Sequence, residues 1–259
     1  MSASLKLISL NIERAKHLDR VVPFLRGQKP DVACLQEVRE PDIPLLKEAI
    51  GAVDHFFAPM TQHPSDGNPA IVGMCIISRL PVRKIHIEYY RGNQDSIPHA
   101  IERPEDWTDD VAVAASHNCA LSSVDVEKDR AIFRISTTHF LWSRRGRFTK
   151  YQREDMKKLL AILAGLGEFV LTGDFNAPRG GEIFGMLAEK YKDNIPLRYV
   201  TSLDLELHRA AQKGRGDEIA DKMVDGLFST PAYIVSDVKM ICGVSDHCAI
   251  VANVSKNTP

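Results

Sequence analysis

The sequence predicts two mixed β-sheets that pack against each other and carry helices on their outer faces. Strand-like and helical segments alternate early in the chain, whereas strand-like segments follow one another in the middle. This mixture favours packed mixed sheets over a single doubly wound sheet. Residues 70–77 and 169–172 are almost entirely apolar, as central strands buried on both faces are. With 259 residues, 44% of them hydrophobic, the chain can bury a large core without disulfides or a structural metal.

The expected strands are short apolar or alternating segments. They cover residues 5–10, 31–36, 71–78, 82–90, 111–123, 131–138, 168–173, 233–241 and 248–254. Helices are expected where apolar residues recur at helical spacing, at 17–28, 43–51, 149–165 and 180–191. The polar segments 91–110 and 212–218 are expected to be surface loops, either functional or plain connections.

Charge and cysteine content narrow the possible functions. The 33 Lys and Arg nearly balance the 34 Asp and Glu, for a net charge of -1, so nucleic acid would need a local basic patch. No apolar run approaches the ~20 residues of a membrane helix, and no membrane anchoring is expected. The five scattered cysteines lie mostly in apolar runs, which predicts buried free thiols and a reducing compartment. Together with the absence of an apolar signal segment, this indicates a cytoplasmic protein, taken as one domain over 1–259 and as a monomer.

Chemically active side chains lie beside the apolar strand-like segments. They are Asn11, Glu37, His139, Asp174, Asn176, Asp225, Asp246 and His247. Each residue alone is weak evidence for a site, because a single Asp at such a position is usually a turn or cap residue and a single His is usually structural. Together they would converge on one pocket, where carboxylate and amide oxygens suit magnesium or manganese.

The ordered set of motifs is far more specific than its members. It consists of Leu10-Asn11, Leu35-Gln36-Glu37-Val38, Thr138-His139, Gly173-Asp174-Phe175-Asn176, Val224-Asp225-Gly226-Leu227-Phe228 and Ser245-Asp246-His247. Over residues 5–254 this set closely resembles the endonuclease/exonuclease/phosphatase superfamily. The resemblance implies an α/β (α+β) fold of the DNase I-like type, a four-layer αββα sandwich of two mixed β-sheets flanked by helices.

The resemblance also implies a metal-dependent attack of water on a phosphate ester. Glu37 corresponds to the principal metal ligand, supported by Asn11 and Asp246. The expected ion is Mg²⁺ or Mn²⁺, which would neutralise phosphoryl charge and stabilise the leaving oxygen.

The remaining family positions imply the catalytic residues. Asp174 and Asn176 resemble the pair that orients the attacking water and holds a phosphate oxygen. His247 resembles the histidine that acts as a base or clamps the phosphate, and Asp225 resembles its hydrogen-bond partner.

His139 carries information about the subfamily. A histidine here is similar to pancreatic-type deoxyribonucleases, sphingomyelinases, deadenylases and tyrosyl-DNA phosphodiesterases, and it lowers the expectation of abasic-site repair. Pancreatic-type enzymes pair this histidine with a glutamate ahead of the third strand. Here that region, 66–70, contains no glutamate, so the partner of His139 stays open.

Candidate substrate contacts are basic and aromatic. Arg144 and Arg145 follow His139 closely, and Arg179 follows the Gly-Asp-Phe-Asn motif; guanidinium groups match phosphate geometry well. Either these arginines bind a polyanion or they lie in solvated loops. Trp142 could stack on a base or pack against the sheet.

Other histidines have plainer interpretations. Asp204 and His208, four residues apart, could face substrate from a shared helix face, although an ordinary side-chain contact is favoured. His17, His55, His63, His86, His99 and His117 are interpreted as ordinary surface or core residues.

The leading hypothesis is a magnesium-dependent phosphodiesterase, a nuclease acting on DNA or RNA. The alternative within enzymes is a phosphatase or phosphodiesterase for a small or lipid-derived phosphate, favoured by the near-neutral charge. A non-catalytic binding module of the same fold is a third hypothesis, opposed by the completeness of the six motifs.

Overall fold

The computed structural model describes residues 3–64, 69–101 and 106–257. The strands are β1 (Ser4–Asn11), β2 (Val32–Arg39), β3 (Asp54–His63), β4 (Ala70–Ser78), β5 (Val82–Arg91), β6 (Cys119–Lys128), β7 (Ala131–His139), β8 (Val170–Asp174), β9 (Lys192–Asp193), β10 (Asp225–Ser229), β11 (Tyr233–Ile241) and β12 (Ala249–Lys256). The α-helices are α1 (Leu18–Gln28), α2 (Ile43–Ile50), α3 (Asp110–Ala115), α4 (Lys150–Gly165), α5 (Glu182–Ala188) and α6 (Arg209–Gln212).

The strands form two six-stranded mixed sheets, which confirms the predicted architecture. One sheet has the order β11-β12-β1-β2-β4-β3 and the other has the order β5-β6-β7-β8-β10-β9. Each contains one parallel pair near its centre, β1 with β2 and β7 with β8. The carboxyl ends of these parallel strands carry Asn11 and Asp174, so the sheet topology itself positions the polar motifs.

Apolar side chains build four layers. Leu7 and Val32 of one sheet belong to the same buried cluster as Phe133 and Val170 of the other, which places the main core between the sheets. The outer face of the first sheet is covered by α1 and α2, and the outer face of the second by α4 and α5. The two sheets are also linked by a buried hydrogen bond, in which Gln36 Nε2 donates to Thr137 Oγ1 at 3.1 Å.

Helix α4 shows how local sequence determines an element of the outer layer. Thr149 and Gln152 form a reciprocal capping box at its start, which satisfies backbone donors that a helix terminus leaves unpaired. Met156 and Leu159 are then buried at helical spacing. Asp155 on the same helix is buried and accepts a bidentate ion pair from Arg91, at 2.6 and 3.0 Å.

The predicted strand over 111–123 is wrong in its first half. Residues Asp110–Ala115 form α3, and β6 begins only at Cys119. Asp109 caps this helix by accepting a hydrogen bond from the Val111 backbone N–H at 2.8 Å. The alternation of valine and alanine is compatible with a strand, but the cap and the helix-forming alanines favour a helix.

The expectation of five free thiols is also wrong. Cys242 and Cys248 form a disulfide, whereas Cys34, Cys75 and Cys119 are free and buried as expected. Only three of the five cysteines are therefore free thiols of the kind expected in a reducing compartment. No helix in the described part of the chain is both long and apolar enough to span a membrane.

Candidate active site

Three predicted site residues lie side by side across one edge of the second sheet. In the parallel pair β7–β8, His139 is opposite Asp174, and in the antiparallel pair β8–β10, Asp225 is opposite Asp174. Gly173 makes this close pairing possible: a Cβ atom there would lie 1.9 Å from the Thr138 carbonyl oxygen, and its φ is +145°. Only glycine fits such a position.

Asp174 is the centre of the arrangement and is 1% exposed. Its Oδ1 accepts a hydrogen bond from the Asn176 backbone N–H at 2.8 Å, and its Oδ2 accepts one from Asn11 Nδ2 at 3.1 Å. The Nε2 atoms of His139 and His247 lie 3.6 and 3.7 Å from the same Oδ2. Two imidazoles therefore lie within 4 Å of one carboxylate oxygen.

His247 is oriented from behind by Asp225. Its Nδ1 lies 2.7 Å from Asp225 Oδ2, and both residues are buried. Ser202 Oγ accepts hydrogen bonds from the backbone N–H groups of Val224 and Asp225, which fixes the aspartate. Burial opposes charge on the imidazole, but the anions of Asp225 and Asp174 outweigh it and raise the pKa of His247 well above its usual value. Nε2 of the same ring is turned to Asp174.

Glu37 reaches the site from the first sheet through an irregularity in β2. The register between β2 and β4 shifts between Leu35 and Val38, and Glu37 has a φ of 55°. Such a bulge changes the direction of a side chain. Asn11 Nδ2 donates to Glu37 Oε1 at 3.3 Å, and Arg14 Nη1 donates to Glu37 Oε2 at 2.6 Å. Although burial opposes charge, Arg14 and His139 lower the pKa of Glu37 to about 2.

Asp246 belongs to a cluster that the sequence did not reveal. Its carboxylate and the side chains of Glu13 and His17 offer ligand atoms that all lie within 4.8 Å of one another. His17 Nε2 lies 2.9 Å from Glu13 Oε2, and His17 is 6% exposed. Burial and the negative charges of Glu13 and Glu37 raise the pKa of Asp246 to about 7. A carboxylate held in such a field is stabilised by a cation.

The donor chemistry of this region fits a hard divalent metal. Glu37, Asp246 and Glu13 supply carboxylate oxygens and His17 supplies an imidazole, a set that suits Mg²⁺ or Mn²⁺. Asn11 Oδ1 accepts the Glu13 backbone N–H at 3.1 Å, and its Nδ2 donates to Glu37 Oε1 and to Asp174 Oδ2. Asn11 thus orients the acidic side chains around the region where a cation would bind.

The backbone of the site is unusual for residues other than glycine. Glu13, Arg14, Glu37 and Asn176 all have positive φ, between 45° and 62°. Left-handed backbone is costly for such residues and is concentrated at functional sites. A search for acidic and histidine residues four apart directly after β1 would have found Glu13 and His17, but nothing in the sequence indicates that the segment turns back on itself.

The predicted arginines fall into two groups. Arg144 and Arg145 are exposed in a short 3₁₀ turn, Arg144–Gly146, directly after the segment that follows β7. Arg179 instead donates to the backbone carbonyls of Ile195 and Tyr199, and pairs with Asp193 at 2.9 Å. These contacts hold the loop that contains Asp193, Ile195 and Tyr199, and they occupy the Arg179 guanidinium that the sequence suggested as a substrate contact.

Asn176 and Asp204 take supporting positions. Asn176 Nδ2 donates to the Phe140 carbonyl at 2.9 Å, which ties the end of β8 to the segment after His139. Asp204 accepts N–H groups from Glu206, Leu207 and Gly243, and so holds the loop that carries Asp246 and His247. His208 Nδ1 accepts a hydrogen bond from the Ala210 backbone N–H at the start of α6. Asp204 and His208 therefore do not share a helix face, because α6 begins only at Arg209.

His139 has Asp174 as its acidic neighbour at 3.6 Å. The region in which pancreatic-type enzymes carry the partner glutamate, here residues 66–68, lies outside the described residues.

Comparisons with known proteins agree with this fold. The family model described as Endonuclease/Exonuclease/phosphatase family matches residues 8–247. A structure of the endonuclease/exonuclease/phosphatase from Bacteroides vulgatus is similar with a TM-score of 0.70 and 17% identity, covering 98% of this chain and 99% of that chain. A mannosyl-6-phosphatase from Bacteroides thetaiotaomicron VPI-5482 gives a TM-score of 0.64 with 14% identity, covering 98% and 100%.

A third structure is the human Nocturnin catalytic domain with bound sulfate anion. It gives a TM-score of 0.61 with 17% identity, covering 98% of this chain and 95% of that chain. A search of curated proteins finds no significant match. Identities this low show a shared fold, whereas the family model spans nearly the whole chain. The chain therefore belongs to the endonuclease/exonuclease/phosphatase family, whose members are phosphoester hydrolases.

Proposed function

We propose that this chain is a divalent-metal-dependent phosphodiesterase that cleaves nucleic acid. The observation that carries the proposal is the placement of His139 and His247 on either side of Asp174 Oδ2, at 3.6 and 3.7 Å, beside the Glu37 carboxylate. Two imidazoles, a buried carboxylate and a neighbouring acidic cluster are the groups that in-line hydrolysis of a phosphate ester needs. Members of the family catalyse reactions of this class.

Glu37 and Asp246 are the residues that would hold the cation, with Glu13 and His17 beside Asp246 and with Asn11 fixing the Glu37 carboxylate. A bound Mg²⁺ or Mn²⁺ would neutralise charge on the phosphoryl oxygens and stabilise the leaving oxygen. Because Asp246 has a pKa raised to about 7 by burial and by Glu13 and Glu37, proton and metal compete for it near neutral pH.

The protein's own side chains then have distinct roles. The His247 ring, whose pKa is raised by Asp225 and Asp174 and which Asp225 orients, binds a nonbridging phosphate oxygen and offers a proton at Nε2. Asp174 orients the attacking water through Oδ2, which already accepts a hydrogen bond from Asn11. His139 approaches the same phosphate from the opposite side, and Asn176 closes the pocket near Phe140. Holding these groups in place before the reaction accounts for most of the expected rate enhancement.

Arg144 and Arg145 favour a polyanionic substrate. Both are exposed in the turn that follows the segment after His139, and Arg145 has a side-chain exposure of 72%. Exposed guanidinium groups near a phosphate site can contact phosphates beyond the one that is cleaved. The balanced net charge of -1 favours the second candidate, a small or lipid-derived phosphate ester.

Salt dependence separates the two candidates. Affinity for a polynucleotide should fall steeply as salt increases, because bound counterions are released from the phosphate backbone. Affinity for a small phosphate ester should depend on salt much less. The double variant Arg144→Ala, Arg145→Ala should make affinity less dependent on salt concentration only if the substrate is a polynucleotide.

The test is cleavage of a labelled panel with Mg²⁺, with Mn²⁺ and with EDTA. The panel contains single- and double-stranded DNA, RNA, an abasic duplex, a 5′-tyrosyl end and a small phosphodiester. Cleavage of a polynucleotide that needs metal and is lost in Asp174→Ala supports the proposal. Asp19→Ala, an exposed aspartate of α1, is the control that should retain activity. Cleavage of the small ester alone would overturn the nucleic-acid assignment.

A further inference from the structure

The two tryptophans of the chain are neighbours beside the active site. The sequence contains only Trp107 and Trp142, and their rings meet edge to face with centroids 5.0 Å apart. The ring of His117 lies 6.5 Å from that of Trp107. Both indoles are partly exposed. We call the side chains of Trp107, Trp142 and His117 the aromatic wall.

Strand register places the aromatic wall at the catalytic end of the second sheet. Strands β6 and β7 are antiparallel, so His117, two residues before β6 begins, and Trp142, three residues after β7 ends, lie at the same end of the sheet. Trp142 itself is three residues beyond His139. The charges of His139, Glu37, His63 and Arg14 act on the His117 ring, which is consistent with a position near the proposed phosphate site.

The aromatic wall is joined to the basic turn. Arg147 Nη2 lies 3.1 Å from Asp110 Oδ1, which links the segment of Trp107 and α3 to the turn that carries Arg144 and Arg145. A bound phosphate chain that contacts the turn would therefore bring its attached groups to the indole rings. Partly exposed aromatic rings beside a phosphate site are a platform on which bases stack.

Hydrogen bonding favours one tautomer of His117. Ser116 Oγ donates to the Val113 carbonyl at 2.8 Å, which favours an Nδ1–H donor in its 2.7 Å contact with His117 Nδ1. Burial, supported by His139, lowers the pKa of His117 to about 4. At neutral pH the ring is therefore neutral, and Nε2 is a hydrogen-bond acceptor. Such an atom repels a phosphate oxygen and attracts an N–H donor.

We propose that the aromatic wall binds a nucleobase of the substrate, with the base stacked on the indoles and an N–H group of the base donating to His117 Nε2. The inference rests on the proposed function, because the base belongs to the nucleic acid whose phosphate is cleaved. It assigns His117 and Trp107, which the sequence did not single out, to base recognition. The preferred base carries an exocyclic amino group.

Tryptophan fluorescence tests the proposal without any cleavage. The two reporters of the chain are the two rings of the wall, so wild-type protein in EDTA is titrated with AMP, with purine riboside 5′-monophosphate and with ribose 5-phosphate. AMP should quench the emission saturably. Purine riboside 5′-monophosphate, which lacks only the amino group, should bind about threefold to tenfold more weakly. Ribose 5-phosphate should leave the emission unchanged at these concentrations.

Variants separate recognition from folding. His117→Ala should weaken the binding of AMP about threefold to tenfold and leave the binding of purine riboside 5′-monophosphate unchanged. A structural defect would instead weaken the binding of both nucleotides. Trp142→Phe should weaken the binding of both purine nucleotides, and the emission of Trp107 still measures that binding. His55→Ala removes an exposed histidine of β3 and should change nothing.

Three results would overturn the proposal. They are quenching by ribose 5-phosphate as strong as by AMP, an equal loss of affinity for both purine nucleotides in His117→Ala, and no quenching by AMP. If polynucleotide is cleaved while AMP does not quench, the wall is wrong and the proposed function stands. If AMP binds as expected while no polynucleotide is cleaved, base binding is supported and the proposed function fails.

Discussion

The Arg14 guanidinium lies 2.6 Å from Glu37 Oε2, and both residues have left-handed backbone. A cation of the protein thus lies against the carboxylate that we propose as a metal ligand. The two side chains are 27% and 24% exposed, so solvent screens the pair and its contribution to stability is small. The ion pair matters for metal binding, because a divalent ion and the Arg14 guanidinium would compete for the Glu37 carboxylate.

Arg14→Ala should therefore bind metal more tightly than the wild type. Removing one positive charge a few ångström from a divalent cation lowers their repulsion, and an increase of about tenfold in Mn²⁺ affinity is expected. Isothermal titration calorimetry with Mn²⁺ measures it directly. Arg14→Lys keeps the charge and should show less than half of that gain.

Arg83→Ala is the matched control for this measurement. It removes another arginine–glutamate pair, 2.7 Å from Glu127, at the opposite end of the second sheet. Its Mn²⁺ affinity should equal that of the wild type. An unchanged or weaker affinity in Arg14→Ala would contradict competition between Arg14 and the metal for Glu37.

Asp225→Asn tests the orientation of His247. The substitution keeps the shape of the side chain and removes the charge that Nδ1 faces at 2.7 Å. Turnover should fall about 10- to 100-fold, the usual loss when the partner of an active-site histidine is changed. Glu88→Gln, which alters an exposed His86–Glu88 pair at 3.0 Å, should leave turnover unchanged.

The same variant changes the dependence of stability on pH. His247 has a pKa raised well above 6.5 in the folded state by Asp225 and Asp174, against the effect of burial. Its contribution to stability is therefore complete below about pH 6.5 and is lost as pH rises through the folded pKa. The difference in unfolding free energy between wild type and Asp225→Asn should be largest at low pH and should shrink as pH rises. A difference that grows with pH would exclude the raised pKa.

Much of the site could be predicted because its residues follow apolar strands. His139 and Asp174 are the last residues of β7 and β8, and Glu37 lies two residues before the end of β2, in segments whose strand character is visible in the sequence. Glu13 and His17 were missed because their position beside Asp246 depends on a left-handed backbone at residue 13. The proposed role of His117 was not predicted because it depends on the ring contact with Trp107, which local sequence does not encode.

The fold was predictable in its layers and less so in its edges. Strand β3 contains Pro59 and lies at the edge of its sheet, which is the position that tolerates proline and hides the strand from pattern analysis. Strand β10 has only five residues and begins with Asp225 and Gly226. Both are formed by long-range pairing, which local sequence does not encode.

Gly173→Ala should destabilise the protein strongly. The new Cβ would lie 1.9 Å from the Thr138 carbonyl oxygen, at a φ of +145° that other residues avoid. Strain and overpacking together predict a loss of about 3 kcal/mol or more in the free energy of unfolding, measured with urea. Gly165→Ala at the end of α4, where a Cβ meets nothing within 4 Å, should change it by less than about 1 kcal/mol. Equal effects would disprove the close β7–β8 contact.

Thiol labelling should distinguish the disulfide from the three free cysteines. Burial raises the pKa of Cys75 to about 12 and also raises the pKa values of Cys34 and Cys119, so their reactive thiolates are scarce and inaccessible in the native state. Iodoacetamide should therefore label no cysteine of the native protein, three after unfolding in urea, and five after unfolding with reductant. Mass spectrometry counts the labels.

Reduction of the native protein extends this prediction to the active site. The disulfide joins Cys242 to Cys248, on either side of Asp246 and His247, and it restricts the unfolded chain as well as the folded loop. Reduction should lower the free energy of unfolding by about 2 kcal/mol, expose Cys242 to labelling, and reduce turnover because the loop that carries both residues gains freedom. The Cys242→Ala variant should reproduce the loss of turnover without reductant. Five labelled cysteines in urea alone would show that the disulfide is absent, and full turnover in Cys242→Ala would show that it does not position His247.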